Sequence, residues 1–205
     1  MVLIPKSLSL NRNRKKQKNS RIVVAVARIM PLKDIETMIR ASAIVREKIP
    51  DVKFIVYGST DTDPVYTRKC QLLIRELRLE NTFILAGHHP KPSEIYNEGD
   101  ISALSSISEG FPYAVIESMA CARPVVATDV GGVREALEGF GIVVKPRDPK
   151  ALAEGIIKLL TDHELRETLG RRAREEVLAK YRIDLNIDAY RRIYNELARP
   201  KRLAL

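Results

Sequence analysis

The sequence has no tryptophan, only two cysteines and only three histidines among its 205 residues. Aromatic residues make up 5% of the chain, and no apolar run approaches the roughly 18 residues that a membrane span needs. The 10 glycines and 11 prolines are too few for a collagen-like or low-complexity chain. With 45% hydrophobic and 30% charged residues, the composition instead predicts one well-packed domain with an appendage.

Further absences narrow the cellular location and the chemistry. The four residues MVLI before Pro5 are too short for the apolar core of a secretory signal, so we expect a cytoplasmic protein. Cys70 and Cys121 lie in apolar-periodic segments without a CxxC spacing or a nearby histidine, which predicts reduced core thiols. His88 and His89 lack a third ligand at a recognisable spacing, so we expect no metal site.

Acidic residues are missing from the first 33 positions, which hold nine basic residues. From Asp34 onward, the remaining 26 basic residues balance 26 acidic ones, so no basic face for specific nucleic-acid binding is expected. We interpret residues 1–20 as a solvated basic linker or tail. Weak attraction to RNA or to anionic lipid at the inner membrane face is the alternative.

What is present is an alternation of short β-branched runs and amphipathic stretches, which is typical of βαβ units. Most of the runs are apolar without alternation, as in parallel strands covered on both faces. The predicted fold class is therefore α/β, a doubly wound, mainly parallel, six-stranded Rossmann-like sheet with helices on both faces. The predicted strands are 22–27, 53–58, 82–87, 101–106, 124–128 and 141–144. The predicted helices are 34–48, 65–79, 92–98, 113–122, 131–138, 148–161, 163–180 and 185–198.

Capping and turn residues indicate where the last predicted helices begin and where one of them bends. Asp148 and Asp162 stand where N-caps are expected, and Gly170 predicts a turn within the penultimate helical segment. Because ligands bind outside the carboxyl ends of the strands in open α/β sheets, chemistry is expected in the segments that follow each strand.

The usual phosphate-binding motifs are missing from those segments, as are HExxH and GxSxG. After the first strand, however, come Arg28 and Lys33, which could clamp a diphosphate without a metal. The alternative is an exposed loop with two solvated charges.

The segment from Glu109 to Glu117 is the stronger constellation. Pro112 predicts the first helical residue, so the free N–H groups of the first turn would face the crevice and attract an anion. The two carboxylates could then accept hydrogen bonds from the hydroxyls of a sugar and a ribose. The alternatives are a capping role for Glu109 and a surface or partly buried position for Glu117. Farther on, Gly131-Gly132 predicts a tight turn that either approaches a ligand or serves as a turn alone.

Three segments taken together resemble the C-terminal, donor-binding domain of retaining GT-B glycosyltransferases of the group 1 (family 4) type. The segments are VVAVARIMPLKDIETMIRA, SEGFPYAVIE and ESMACARPVVATDVGGVREAL. The resemblance covers about residues 21–199 in order. The stretch GSTDTDPVYTRKCQLLIRELRLENTFILAG looks most like the PelF-type branch.

The resemblance implies roles for particular residues. Arg28 and Lys33 match the cations that neutralise the diphosphate, Glu109 the acid beside the transferred sugar, and Glu117 the acid that holds the ribose hydroxyls. The backbone that meets the phosphate in the family corresponds here to Gly110, Phe111, Tyr113 and Ala114. The position that borders the base corresponds to His88, and the turn that admits the nucleotide corresponds to Gly58.

Three positions depart from the family pattern. Asp34 and Ala122 stand where glycine is usual, and Pro112 replaces a glycine and removes one N–H donor. Asp34 places an acid beside the expected diphosphate clamp, which puts the clamp in question.

The resemblance implies transfer of a hexosyl group from a nucleoside diphosphate sugar, with a UDP-sugar expected, to a glycan or lipid-linked acceptor. The resemblance also implies that this reaction needs no metal or other cofactor. An N-terminal acceptor-binding domain is expected as partner, in the same polypeptide or in another chain. Three regions are predicted: a tail (1–20), a nucleotide-sugar-binding domain (21–183), and a C-terminal helix with its tail (184–205). The alternative is a non-catalytic nucleotide-sugar-binding or interaction subunit that needs a separate acceptor-binding chain.

Overall fold

The computed structural model describes residues 21–198. The predicted basic tail (1–20) and the end of the predicted C-terminal segment (199–205) lie outside the described residues. Within the described range, six strands alternate with helices. The strands are β1 (Arg21–Val26), β2 (Val52–Tyr57), β3 (Phe83–Gly87), β4 (Ile101–Leu104), β5 (Val125–Thr128) and β6 (Ile142–Val144). The helices are α1 (Ile35–Lys48), α2 (Pro64–Glu76), α3 (Pro92–Glu98), α4 (Tyr113–Ala120), α5 (Val133–Leu137), α6 (Pro149–Thr161), α7 (His163–Lys180) and α8 (Ile183–Leu197).

The strands form one sheet in the order β3-β2-β1-β4-β5-β6. All neighbouring strands pair in parallel, which confirms the predicted doubly wound, Rossmann-like architecture. The strand order reverses its direction between β1 and β4, and this is the point where such sheets open a crevice for ligands. The segments that follow β1 and β4 are therefore the central walls of any site.

Helices cover both faces of the sheet. Alternate side chains of each strand point to opposite sides, so each set packs against a different group of helices. Val23 and Ala25 of β1 belong to an apolar cluster that includes residues of α1, α2 and α6. Ile22 and Val24 belong to a second cluster, with residues of α3, α4, α5 and α7. Each fully buried valine or isoleucine stabilises the fold by roughly 1.5 to 3 kcal/mol. Because β1 is buried on both faces, apolar residues are favoured at successive positions, and the run is continuous in the sequence.

Helix boundaries follow the predicted ones to within three residues at each end. The caps are confirmed, since Asp148 accepts a hydrogen bond from the Ala151 amide and Asp162 accepts one from the Leu165 amide, both at 2.9 Å. The turn predicted at Gly170 is wrong, because Gly170 lies within the continuous helix α7. A Cβ at this position would overlap the Ala122 carbonyl oxygen, so the glycine allows α7 to pack closely against the segment before β5.

Helix α8 differs from the others, since none of its residues is buried. Six large apolar side chains on it are exposed: Leu185, Ile187, Tyr190, Ile193, Tyr194 and Leu197. No helix within residues 21–198 is long and apolar enough to cross a membrane.

Candidate active site

A cleft of about 490 Å³ opens at the carboxyl ends of the central strands. It contains nine of the ten residues that the sequence analysis selected: Arg28, Lys33, Gly58, His88, Glu109, Phe111, Tyr113, Ala114 and Glu117. The remaining wall residues are Val26, Ala27, Tyr57, Ser59, Leu104 and Pro112. The tenth selected residue, Gly110, lies beside the cleft rather than in its wall.

The two cations of the cleft differ in their surroundings. Arg28 is exposed two residues after the end of β1, and its side chain has no ion-pair or hydrogen-bond partner among residues 21–198. Lys33 ends a short 3-10 turn (Pro31–Lys33), and its Nζ lies 2.6 Å from Glu109 Oε1. The two paired side chains are only 18% and 11% exposed. An ammonium has three donors, so Lys33 can hold Glu109 and still reach a second acceptor.

Hydrogen bonds fix the loop after β4 against the 3-10 turn. The Ile107 amide donates to the Leu32 carbonyl at 3.0 Å, and the Ser105 hydroxyl donates to the Lys33 carbonyl at 2.9 Å. The Ser106 hydroxyl donates to Glu109 Oε1 at 2.6 Å. The Glu109 carboxylate is therefore held from two sides, by Lys33 and by Ser106.

Helix α4 begins where the range 113–122 predicts, but Pro112 is not its first helical residue. Pro112 is the N-cap, with φ −84° and ψ 72°, and the helix begins at Tyr113. The amides of Val115 and Ile116 both donate to the Pro112 carbonyl, and the Tyr113 amide donates to the Phe111 carbonyl at 3.0 Å. Among the described residues, the Ala114 amide donates to no backbone carbonyl. Of the expected first-turn donors, the Ala114 amide is thus the one left open for an anion.

The Gly131-Gly132 turn supports the Glu109 loop from behind. Gly131 has φ +51°, and a Cβ there would overlap the Glu109 carbonyl oxygen. The Gly132 amide donates to the Gly110 carbonyl at 3.2 Å. Neither glycine lines the cleft, so of the two interpretations of this turn the structure favours a turn alone. Helix α5 begins after it at Val133, two residues later than the predicted range 131–138.

Glu117 projects from α4 into the cleft wall and is half-buried. The hydroxyl of Tyr96, a fully buried residue of α3, donates to Glu117 Oε2 at 3.2 Å. Burial raises the pKa of the Glu117 carboxyl above its usual value, and the hydrogen bond from Tyr96 acts in the opposite direction. A carboxylate held in this way can still accept hydrogen bonds from hydroxyl groups in the cleft.

Tyr57 and His88 form the end of the cleft near β2 and β3. The Tyr57 hydroxyl donates to Glu98 of α3, and burial with this bond raises the pKa of Tyr57 to about 12. The His89 ring lies edge-on to the Tyr57 ring, with 5.8 Å between the ring centroids. His88 is exposed in the wall, so a flat group can reach it.

Gly58 brings two strand ends together. A Cβ at Gly58 would overlap the Ala27 carbonyl oxygen, and the Gly58 amide donates to the Gly87 carbonyl at 2.8 Å. The space that glycine leaves is thus occupied by the neighbouring backbone of the strand-end segment after β1. Gly58 still lines the cleft floor.

The structure accounts for the departure at Asp34. Asp34 has φ +44°, a left-handed conformation that glycine adopts most easily and that aspartate tolerates. Its side chain caps α1, since Oδ1 accepts from the Thr37 amide at 3.3 Å, and Oδ2 also accepts from the Thr37 hydroxyl at 2.7 Å. Asp34 does not line the cleft. Its negative charge is therefore engaged at the helix start and not directed at the expected diphosphate clamp.

Several site residues were not selected from the sequence. Tyr57 and Ser59 could have been found, because they stand at the end of a predicted strand. Ser106 lies in a selected loop, but its bond to Glu109 depends on the loop's conformation. Tyr96 lies inside a helix, where no local pattern indicates a role. Within residues 21–198, no group of three or more His, Cys, Asp or Glu side chains is placed to hold a metal ion.

Comparison with known proteins adds a family and a fold. A family model described as glycosyl transferases group 1 matches residues 9–176. The D-inositol 3-phosphate glycosyltransferase of Corynebacterium jeikeium is 30% identical over 187 residues, covering 87% of this chain and 44% of that protein. The chain spans about half the length of the curated relatives that it matches.

Solved structures show the same architecture. The C-terminal domain of a glycosyl transferase group 1 family protein from Francisella tularensis has a TM-score of 0.71 and 26% identity, covering 79% of this chain and 87% of that one. A mutant of Staphylococcus aureus TarM has a TM-score of 0.77 and 25% identity, covering 91% of this chain and 38% of that one. That TarM structure is a complex with fondaparinux, α-GlcNAc-glycerol and UDP.

Proposed function

Because the chain belongs to the group 1 glycosyl transferases, we propose that its cleft binds the nucleoside diphosphate sugar from which such an enzyme takes the transferred sugar. The proposed reaction transfers a hexosyl group, with retention, to a glycan or lipid-linked acceptor. The proposed donor is a UDP-sugar, supported by the UDP in the TarM complex. The PelF-type branch, the cytoplasmic location and the weak lipid contact stay predictions.

One observation carries the proposal: a single cleft contains two cations, a helix start and two carboxylates from distant parts of the chain. Arg28 can form a fork with phosphate oxygens, and Lys33 can add a point charge. The Ala114 amide at the start of α4 adds a donor from the positive end of the helix. Fixed positive groups of this kind stabilise a departing diphosphate, so we expect no metal to be required.

Glu109 and Glu117 have different proposed roles. Glu109 lies next to Lys33 and the start of α4, where the diphosphate is proposed to bind, so its proposed neighbour is the transferred sugar. Lys33 and Ser106 both contact its Oε1 atom, which supports an electrostatic and sugar-positioning role over that of a conventional nucleophile. Glu117 lies a turn and a half into α4, and its proposed partners are the ribose hydroxyls.

The base is proposed to lie against His88 and Tyr57. Both residues line the end of the cleft away from Glu109, and His88 is exposed to solvent. The Tyr57 ring is held by its bond to Glu98 and its contact with His89. An aromatic wall of this kind accepts any flat base, so the preferred base is the one that binds most tightly in a titration.

Isothermal titration with UDP, GDP and ADP tests the proposal. At least one nucleotide should bind, and Arg28→Ala should weaken its binding about 10-fold or more, the scale of one charge-assisted hydrogen bond. Arg40→Ala is the matched control, because Arg40 is an exposed arginine on α1 outside the cleft. Failure of all three nucleotides to bind would reject the proposal.

Transfer itself is proposed to need an acceptor-binding half, in the same polypeptide or in a second chain. The chain spans about half of its relatives' length, which supports this part of the proposal. Purified chain should therefore bind the donor and transfer little sugar. Robust transfer by residues 1–205 alone would contradict this part of the proposal.

A non-catalytic interaction subunit is the second candidate, and the exposed apolar face of α8 favours it. This candidate expects stable association through α8 without nucleotide affinity. Sedimentation of the native chain and of Tyr194→Ser, combined with the titration above, distinguishes the two candidates.

A further inference from the structure

We infer that Tyr96 is a positioning residue for ribose recognition: its buried hydroxyl holds one oxygen of Glu117, so that the carboxylate presents its remaining acceptors to a vicinal diol in the cleft. This inference rests on the proposed nucleotide binding and assigns to α3 a part in it. Tyr96 itself does not line the cleft, so it acts through Glu117 and does not contact the ligand.

The geometry of the pair carries the inference. The Tyr96 side chain is 1% exposed and packs in the apolar cluster with Ile116 and Met119. Its hydroxyl lies 3.2 Å from Glu117 Oε2. A ring fixed by packing leaves its hydroxyl little freedom, so the carboxylate is held at a defined orientation. The other oxygen, Oε1, and the second lone pair of Oε2 remain for ligand hydroxyls.

The surroundings make this hydrogen bond important. Glu117 is half-buried, and burial disfavours its charged form. The hydrogen bond from Tyr96 favours the charged form of Glu117, whereas burial raises the pKa of the nearby Cys121 thiol to about 11 and keeps it neutral. The other charged groups of the cleft are Arg28, Lys33 and Glu109, with Lys33 and Glu109 paired to each other. Without the hydroxyl, Glu117 would take up a proton at a higher pH and lose part of its capacity to accept hydrogen bonds.

The test compares UDP with 2′,3′-dideoxy-UDP in the full chain. The native chain should prefer UDP by about 10-fold or more, the scale of lost hydrogen bonds to a charged acceptor. Tyr96→Phe should lower UDP affinity about 3- to 10-fold and leave dideoxy-UDP affinity unchanged. The matched control is Tyr66→Phe, which removes another buried hydroxyl, one that contacts the Glu36 amide outside the cleft.

A pH series separates positioning from a general structural effect. UDP affinity relative to dideoxy-UDP should fall as the pH drops and Glu117 takes up a proton. In Tyr96→Phe this fall should begin at a higher pH, because the hydrogen bond that lowers the Glu117 pKa is gone. A profile identical to that of the native chain would overturn the inference, as would equal losses for both nucleotides.

A second variant serves if Tyr96→Phe does not fold. Replacing Tyr96 with 3,5-difluorotyrosine keeps the ring and strengthens the hydroxyl as a donor, so the preference for UDP over dideoxy-UDP should increase. An unchanged or reduced preference overturns the inference. If the native chain binds no nucleotide, the proposed function fails and this inference fails with it. If it binds UDP and dideoxy-UDP equally, only the ribose assignment is lost.

Discussion

Replacing Lys33 with methionine tests whether the Lys33–Glu109 pair serves the diphosphate or only the fold. The change removes the ammonium, keeps a side chain of similar length, and leaves the Glu109 carboxylate with the Ser106 hydroxyl. At 2.6 Å and an effective dielectric constant near 20, the attraction is about 6 kcal/mol before desolvation. With 18% and 11% exposure, the pair stands between surface pairs and buried pairs. Lys33→Met should therefore lower the free energy of unfolding by about 1 to 3 kcal/mol.

The effect on ligand binding should be larger and should have a counterpart of opposite sign. Loss of a charge-assisted contact to phosphate should weaken UDP binding about 10- to 150-fold. Glu109→Gln keeps the side-chain shape, removes a negative charge from the cleft and frees Lys33. UDP should then bind about 2- to 5-fold more tightly, and sugar transfer by the enzyme completed with its acceptor-binding half should be lost.

Urea unfolding and isothermal titration measure the two effects. The titrations are run at low and high salt, since the phosphate contact is electrostatic and part of it should be screened. Lys69→Met is the matched control, because Lys69 forms an exposed ion pair with Glu36 at 2.9 Å, outside the cleft. It should change stability by less than about 1 kcal/mol and leave UDP affinity unchanged. Native UDP affinity in Lys33→Met, or weakened affinity in Glu109→Gln, would refute the assignment.

Three further predictions concern stability. Ala122 has φ +52°, so Ala122→Gly should raise the free energy of unfolding by about 1 kcal/mol in urea titrations; a loss would show that the Ala122 methyl group stabilises the fold. Gly131→Ala should lower it by more than about 1 kcal/mol and weaken UDP binding, because the new Cβ displaces the Glu109 backbone; native stability would contradict the close approach. Burial raises the pKa of Cys70 to about 12 and of Cys121 to about 11 from 9.0, so the unfolded chain loses these protons first. Stability should therefore fall as the pH rises above about 9, with a shallower fall in Cys70→Ala; equal pH dependence would refute the thiol origin.

The fold could be predicted because its strands are short apolar runs that stand out from the helices around them, and the central strands β1, β4 and β5 are buried on both faces. Two details could not be predicted. Gly170 indicates a turn when read locally, but its purpose is to accommodate the Ala122 carbonyl of a distant segment. Pro112 has the dihedral preference of a first helical residue, yet it is the N-cap, and its carbonyl accepts hydrogen bonds from the Val115 and Ile116 amides.

The site could be predicted as a set of positions but not as a set of contacts. Strand-end position placed Arg28, Lys33 and Glu109 correctly in one cleft. The pairing of Lys33 with Glu109 joins residues 76 positions apart, and no spacing rule states which cation meets which acid. Tyr96 had no local indication at all, because a tyrosine on the buried face of a helix is ordinarily a packing residue.

The cross-links among the loops at the sheet edge constrain how this molecule can change. The Ile107 amide is joined to Leu32, the Thr128 hydroxyl to the carbonyl of Ser106, and the Gly132 amide to Gly110. An inserted or deleted residue in one of these three connections would break hydrogen bonds in the next one along. Related sequences should therefore conserve the lengths of the segments after β1, β4 and β5 together. A library of variants that changes the length of one segment at a time should yield few folded members.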